Sequence, residues 1–128
     1  MSNRNVIMKN ILLVALGGAL GSSLRYLISK FIAGYWTTTF PMATFAVNIL
    51  GCLLIGLLTG LVAEGILSQD MKFLLVTGFC GGFTTFSTFA NESLSLMRPG
   101  EILTSALYIG LSVAAGILAV YAGMRLVR

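Results

Sequence analysis

Charged residues are scarce in this chain, and their scarcity excludes most classes of soluble protein. Only 9% of the 128 residues are charged, whereas 57% are hydrophobic. A soluble domain carries about 25% charged residues, so this chain has too few ionic groups to cover a water-facing surface. A soluble enzyme, a nucleic-acid-binding module and a disordered segment are therefore excluded, and the composition predicts a membrane protein.

Histidine is absent, and the chain has only two cysteines and two prolines. Without histidine no Ser–His or Cys–His catalytic pair can form, and no GxxxxGK[ST] motif occurs, so we expect neither enzymatic activity nor ATP-driven pumping. Two cysteines alone cannot complete a tetrahedral metal site. Because Cys52 and Cys80 both lie inside apolar runs, we interpret them as small packing residues and not as a disulfide.

Four apolar runs are long enough to cross a bilayer, which takes about 20 helical residues with a rise of about 1.5 Å each. We predict an all-α membrane protein with one four-helix transmembrane domain over residues 1–128. Its helices are expected at about 10–31, 41–63, 73–96 and 102–124. The first run has no clear A-x-A cleavage site and is followed by three more runs, so we expect a retained helix and not a signal peptide.

Most of the basic residues lie near the ends of the apolar runs, where they can contact lipid headgroups. We therefore assign them to anchoring in the bilayer and not to nucleic acid. Four spans would place five basic residues on one side of the membrane and three on the other: Arg4, Lys9, Lys72, Arg125 and Arg128, against Arg25, Lys30 and Arg98. This difference is too small to impose one orientation, which would permit insertion both ways and an antiparallel assembly.

Polar residues fall on single helical faces in three of the four predicted helices. In the third, they are Thr84, Ser87, Thr88, Asn91, Glu92 and Ser95, beside a row of Phe83, Phe86 and Phe89. In the second and fourth, they are Thr44, Asn48 and Cys52, and Thr104, Tyr108 and Ser112. Hydroxyls in membrane helices can bond to the preceding turn or join neighbouring helices. The three faces therefore predict either helix packing or a polar path through the bilayer.

Three glycines occur within five residues at Gly78–Gly82, directly before Thr84. Glycine permits non-helical backbone, and such backbone is tolerated at membrane depth only where protein or a cavity surrounds it. We therefore expect the third helix to be broken near its middle, which would free carbonyls as ligands for a cation. Glycines that serve only close helix packing are the alternative.

Glu92 is the only carboxylate well inside a span. A carboxylate there costs roughly 2.5–3.5 kcal/mol on insertion scales, so we expect Glu92 to have a function. The alternative is a structural role with a partner such as Arg25 or a neighbouring hydroxyl.

The third run contains the letters GFCGGFTTFSTF at residues 78–89, and it resembles the GGxTTFSTF signature of the Fluc/CrcB-type fluoride ion channels. The resemblance extends over nearly the whole chain. Further matching positions are Gly17 to Gly21 with Arg25, Thr44 with Val47 and Asn48, and Tyr108 with Ser112. One departure is Gly116, where some members of the family carry another hydroxyl.

The resemblance implies an antiparallel, dual-topology homodimer in the cell inner membrane, with two pores that passively export fluoride. It implies a structural Na⁺ at the dimer interface, bound by the backbone carbonyls of Gly81 and Thr84 from each chain. It also implies an ion pathway formed by Asn48, Phe86, Phe89, Ser87, Thr88, Tyr108, Ser112 and Thr44. The roles of Glu92 and Arg25 stay open.

Two other classes of function stay open from the residues. In a proton-coupled secondary transporter, Glu92 would carry the coupling proton. The small multidrug-resistance type of transporter is disfavoured because it needs an acid in the first helix, where this chain has Arg25 and no acid. A membrane assembly subunit without transport activity is the second alternative.

Overall fold

Helices account for most of residues 2–127, the part of the chain that the computed structural model describes. In order, they are α1 (Asn3–Tyr35), α2 (Met42–Ala63), α3 (Gln69–Lys72), a π-helical segment (Phe73–Cys80), α4 (Gly81–Phe83), α5 (Phe86–Ser95) and α6 (Ile102–Val127). Residues 2–127 contain no strand. Met1 and Arg128, the first and last residues of the predicted domain, lie outside the described residues. The predicted placement of Arg128 on the side of the membrane with five basic residues therefore also lies outside them.

Four helical stretches in the described residues are long and apolar enough to cross a membrane: Asn3–Tyr35, Met42–Ala63, Gln69–Ser95 and Ile102–Val127. The protein is therefore all-helical and multi-pass, as predicted. The first helix is longer at both ends than the predicted range of 10–31. At its start, the Ser2 side chain accepts a hydrogen bond from the Asn5 N–H (3.3 Å) and satisfies a backbone donor that has no partner in the first turn.

Glycines bring two pairs of helices into backbone contact. A Cβ on Gly123 of α6 would meet the carbonyl oxygen of Leu53 in α2, and a Cβ on Gly56 of α2 would meet α6 in the same way. On the other side of the bundle, a Cβ on Gly17 of α1 would overlap the backbone of the π-helical segment. Gly17 with Gly21 and Gly56 with Gly60 are spaced as GxxxG pairs, a helix-packing pattern. These glycines hold α1 against the third span and α2 against α6.

The third span is interrupted at Thr84 and Thr85, whose backbones are extended (φ −88°, ψ 161° and φ −149°, ψ 118°). A break near the middle was predicted, but its position at the glycines was wrong, because Gly78–Gly82 stay helical. The physical reason is that Gly78 and Gly82 lie against the backbone of α1. Their missing side chains serve packing, and the break follows directly after them.

Candidate functional site

The backbone of the break is bound by one side chain of α2. The Nδ2 of Asn48 donates to the Thr85 carbonyl (3.0 Å), and the Oδ1 of Asn48 accepts from the Thr85 N–H (2.8 Å). Because an N–H can only donate, this second bond also fixes which way the amide points. The amide therefore satisfies the Thr85 N–H, which lost its helical partner at the break. It also gives a second donor to the Thr85 carbonyl, which as the N-cap carbonyl of α5 accepts the first bond of that helix. We call this pair of bonds the Asn48 clamp.

The break releases two backbone carbonyls from the helix. In a continuous α-helix, the Thr85 N–H would donate to the Gly81 carbonyl and the Thr88 N–H to the Thr84 carbonyl. Here the first donor goes to Asn48 Oδ1 (2.8 Å) and the second to Thr85 Oγ1 (3.2 Å). The carbonyls of Gly81 and Thr84, the two oxygens implied as sodium ligands, are thus the ones that these rearranged bonds set free.

These two carbonyls are chemically suited to a hard cation, which prefers oxygen ligands. Gly81 is exposed and Thr84 is half-buried. Two neutral oxygens are too few to hold a cation alone, so a cation here would need further ligands, and a sodium site stays a prediction. Within residues 2–127, no group of three or more His, Cys, Asp or Glu residues offers another metal site.

Glu92 is held by hydroxyl groups from two other helices. One carboxylate oxygen accepts from Thr44 Oγ1 of α2 (3.1 Å), and the other accepts from the Tyr108 hydroxyl of α6 (2.9 Å). Thr44 and Tyr108 are both buried. Arg25 lies elsewhere, since its Nε donates to the Gly82 carbonyl (3.0 Å). Of the two partners considered for Glu92, the neighbouring hydroxyl is confirmed and Arg25 is wrong.

An open groove of about 280 Å³ lies between α2, α5 and α6, beside the break. Its described lining residues are Asn48, Ile49, Cys52, Ile55, Thr84, Thr85, Phe86, Phe89, Ser112 and Val113, and none of them is charged. The Oγ of Ser112 is buried without a hydrogen-bond partner among the described residues. We call this cavity the α2–α5–α6 groove. Its polar groups are an amide and hydroxyls.

Two phenylalanines form the α5 side of this groove. The ring centroids of Phe86 and Phe89 lie 5.9 Å apart, and the ring of Phe89 packs edge-on against Tyr108 at 5.1 Å. Phe86 is 78% exposed, so its ring has almost no support from this chain. An aromatic ring has a positive edge, and the groove lining combines uncharged polar groups with two such rings.

Residues 12–124 match the family model described as CrcB-like protein, Camphor Resistance (CrcB). The chain belongs to the CrcB family. Several similar proteins are named fluoride-specific ion channel FluC, and that of Rhodococcus jostii is named FluC 2. The protein of Flavobacterium psychrophilum is 52% identical over 118 residues, 91% of this chain and 95% of the relative. That of Rhodococcus jostii is 52% identical over 116 residues (91% and 96%), and that of Phocaeicola vulgatus is 50% identical over 117 residues (91% and 97%).

The eight residues predicted for the ion pathway fall into three groups in the structure. The α2–α5–α6 groove brings together Asn48, Phe86, Phe89 and Ser112. Thr44 and Tyr108 are bonded to Glu92 and lie outside the groove lining. Ser87 and Thr88 are exposed on α5 and also lie outside the lining. For all of these residues, a role toward an ion stays a prediction.

Sequence reasoning missed Thr85 and Ser105. The Thr85 hydroxyl accepts from the Thr88 N–H and caps the start of α5. A threonine directly before a helix is a common N-cap signal, so this role could have been found within the CrcB signature. Ser105 donates to the Ser93 carbonyl (2.8 Å). No local signal marks Ser105, because a serine in a membrane helix most often bonds to its own preceding turn.

Proposed function

We propose that this CrcB protein is a passive, fluoride-selective ion channel that exports fluoride from the cytoplasm across the cell inner membrane. The observation that carries the proposal is the lining of the α2–α5–α6 groove, which includes Asn48, two phenylalanines and Ser112, whose hydroxyl has no hydrogen-bond partner among the described residues. The relatives named fluoride-specific ion channels support the identity of the ion.

The chemistry of the groove suits a small, strongly hydrated anion. A pore must replace the water around fluoride with other donors, and Ser112 supplies an O–H that no described protein group uses. Asn48 carries a second N–H beyond the one given to Thr85. Conduction requires binding strong enough for entry and weak enough for exit, and a groove lined only by uncharged residues meets the second condition.

We further propose that the working unit is an antiparallel homodimer with two pores. The hydroxyls of Ser87 and Thr88 are exposed on α5. Thr88 Oγ1 accepts from Thr85 Oγ1 within the chain (3.1 Å), whereas the Ser87 hydroxyl needs a protein or water partner at membrane depth. The carbonyls of Gly81 and Thr84 would contribute half of a sodium site, completed by the same carbonyls of a second copy. A bound Na⁺ would supply the fixed positive potential that no side chain of the groove provides.

The proposal is tested by fluoride release from liposomes that contain the purified protein. A fluoride-selective electrode follows release, chloride release serves as the comparison, and protein-free liposomes measure leakage of hydrogen fluoride. We expect fast loss of fluoride and little loss of chloride. Fluoride release no faster than from protein-free liposomes would contradict the proposal.

The same liposomes separate the channel from the two alternatives. A channel releases fluoride down its gradient at a rate that an imposed pH gradient does not change, once leakage is subtracted. Uphill accumulation driven by that pH gradient, abolished by Glu92→Gln, would favour a proton-coupled transporter. A protein that carries no ion and copurifies in a fixed ratio with another membrane protein would favour an assembly subunit.

A further inference from the structure

One hydrogen bond between α5 and α6 involves a backbone acceptor. The Ser105 hydroxyl of α6 donates to the carbonyl oxygen of Ser93 in α5 at 2.8 Å, and the two residues are 1% and 6% exposed. Ser105 therefore joins the two helices where water is excluded. A hydrogen bond in such a place is strong, and its loss leaves a polar group without a partner.

The Ser93 carbonyl needs this donor because α5 ends two residues later. In a continuing helix, the Met97 N–H would donate to Ser93, but it donates to the Leu94 carbonyl (3.0 Å) instead. The last carbonyls of a helix have no intrahelical partner. Ser105 thus satisfies one of the carbonyls that the end of α5 leaves open.

This bond lies one turn of α6 away from the two contacts that Tyr108 makes with α5. Tyr108 follows Ser105 by one turn of α6, and it contacts both Glu92 (2.9 Å) and the ring of Phe89 (5.1 Å between centroids). Those two contacts run between side chains, which can change rotamer. The bond from Ser105 acts on the α5 backbone itself, so it restricts the helix and not one side chain.

We propose that Ser105 is a positioning residue for ion conduction, which fixes α5 against α6 and thereby sets the place of Phe89 in the groove. The inference rests on the proposed channel function. Ser105 does not line the α2–α5–α6 groove, so it acts only through α5. Loss of the Ser105 hydroxyl therefore changes the rate of fluoride conduction by the assembled protein and its selectivity for fluoride over chloride.

The test compares Ser105→Ala with Ser105→Cys in liposomes, with release rates normalised to the folded, assembled protein recovered by size-exclusion chromatography. Alanine removes the donor, and cysteine keeps a weak one. We expect fluoride release to fall about tenfold in Ser105→Ala, a change equal to about 1.4 kcal/mol, with an intermediate rate in Ser105→Cys. The ratio of fluoride to chloride release should fall in the same order.

Ser93→Ala is the matched control. The Ser93 hydroxyl donates to the Phe89 carbonyl within α5 (2.7 Å). The bond from Ser105 of α6, which we call the tether, goes instead to the Ser93 backbone carbonyl. Ser93→Ala therefore removes a buried hydroxyl at the same place without removing the tether. We expect release rates within about twofold of the unmodified protein, since an intrahelical serine bond to the preceding turn contributes little.

Amide hydrogen exchange supplies a readout that is independent of transport. In Ser105→Ala and Ser105→Cys, exchange should accelerate in α5 and stay unchanged in α2, because only α5 loses its tether. Unmodified protein that carries no fluoride would refute the proposed function. Unmodified protein that conducts, with Ser105→Ala equal to it in rate, selectivity and α5 exchange, would overturn the positioning role alone.

Discussion

Asn48 binds both backbone groups of Thr85, and these two bonds stabilise the interruption of the third span. The glycines before the break contribute differently, because Gly78 and Gly82 lie against α1. The same clamp removes the helical donor of the Gly81 carbonyl. One amide thereby connects the groove, the break and the oxygen atoms suited to a cation.

Replacing Asn48 tests this connection. Asn48→Ala leaves the Thr85 N–H without its acceptor, at a cost of about 1–3 kcal/mol for a buried donor, and removes one of the donors to the Thr85 carbonyl. We expect a lower melting temperature in detergent and loss of fluoride release. Asn48→Asp keeps an acceptor for the N–H and should have intermediate stability. Equal melting temperatures for Asn48→Ala and the unmodified protein would rule out the clamp.

The two phenylalanines of the groove should affect transport alike and stability differently. Phe86→Ile and Phe89→Ile are both expected to abolish fluoride release and leave assembly intact, because isoleucine has no aromatic edge. Phe86 is 78% exposed, so its replacement should not lower the melting temperature. Phe89→Ile loses the edge contact with Tyr108, worth about 0.5–1.5 kcal/mol. Normal fluoride release by both variants would argue against a role for the rings.

Gly123 and Gly110, both in α6, allow a matched test of how α2 packs against α6. A Cβ at Gly123 would meet the Leu53 carbonyl oxygen, which is backbone and cannot rotate away, whereas a Cβ at Gly110 meets nothing within 4 Å. We expect Gly123→Ala to destabilise the protein by about 1–3 kcal/mol. Gly110→Ala should be neutral or stabilising by up to about 1 kcal/mol. Thermal unfolding in detergent measures both, and equal effects would contradict the described contact.

The ion pair between Lys9 and Asp70 should be nearly dispensable. Its atoms lie 3.1 Å apart, but the side chains are 45% and 55% exposed, and pairs of this kind contribute about 0–1 kcal/mol. Asp70→Asn removes the pair without changing the Lys and Arg counts that set orientation. Melting temperature and fluoride release should both stay close to those of the unmodified protein. A large fall in either would show that this contact has a further role.

The number of spans could be predicted from the sequence because apolar length and scarce charge determine it. The start of α1 could not, since the apolar length of a bilayer core says nothing about polar residues such as Asn3 and Asn5 that continue the helix beyond it. The break could be assigned to a region but not to a residue. Glycine allows many backbone conformations, and the one adopted depends on Asn48, 37 residues away.

The sequence predicted which residues belong to the candidate site better than it predicted how those residues are arranged. The polar face of the third helix was derived for one continuous helix, but the extended backbone at Thr84 and Thr85 separates Thr84 from the rest of that face. Within α5, Ser87 and Asn91 are exposed, while Glu92 bonds to α2 and α6. Which partner Glu92 takes depends on how those two helices are rotated, and no local pattern contains that information.

The order of synthesis gives the Asn48 clamp a consequence for biogenesis. Asn48 and Thr85 lie on consecutive spans, so their bonds can form while the last helix is still inside the ribosome. Tyr108 and Ser105 belong to that last helix, and they complete the attachment of α5 only after synthesis is nearly finished. A chain whose last helix is still inside the ribosome would therefore hold α5 against α2 alone, through the Asn48 clamp and the bond from Thr44 to Glu92, and would lack every bond from α6.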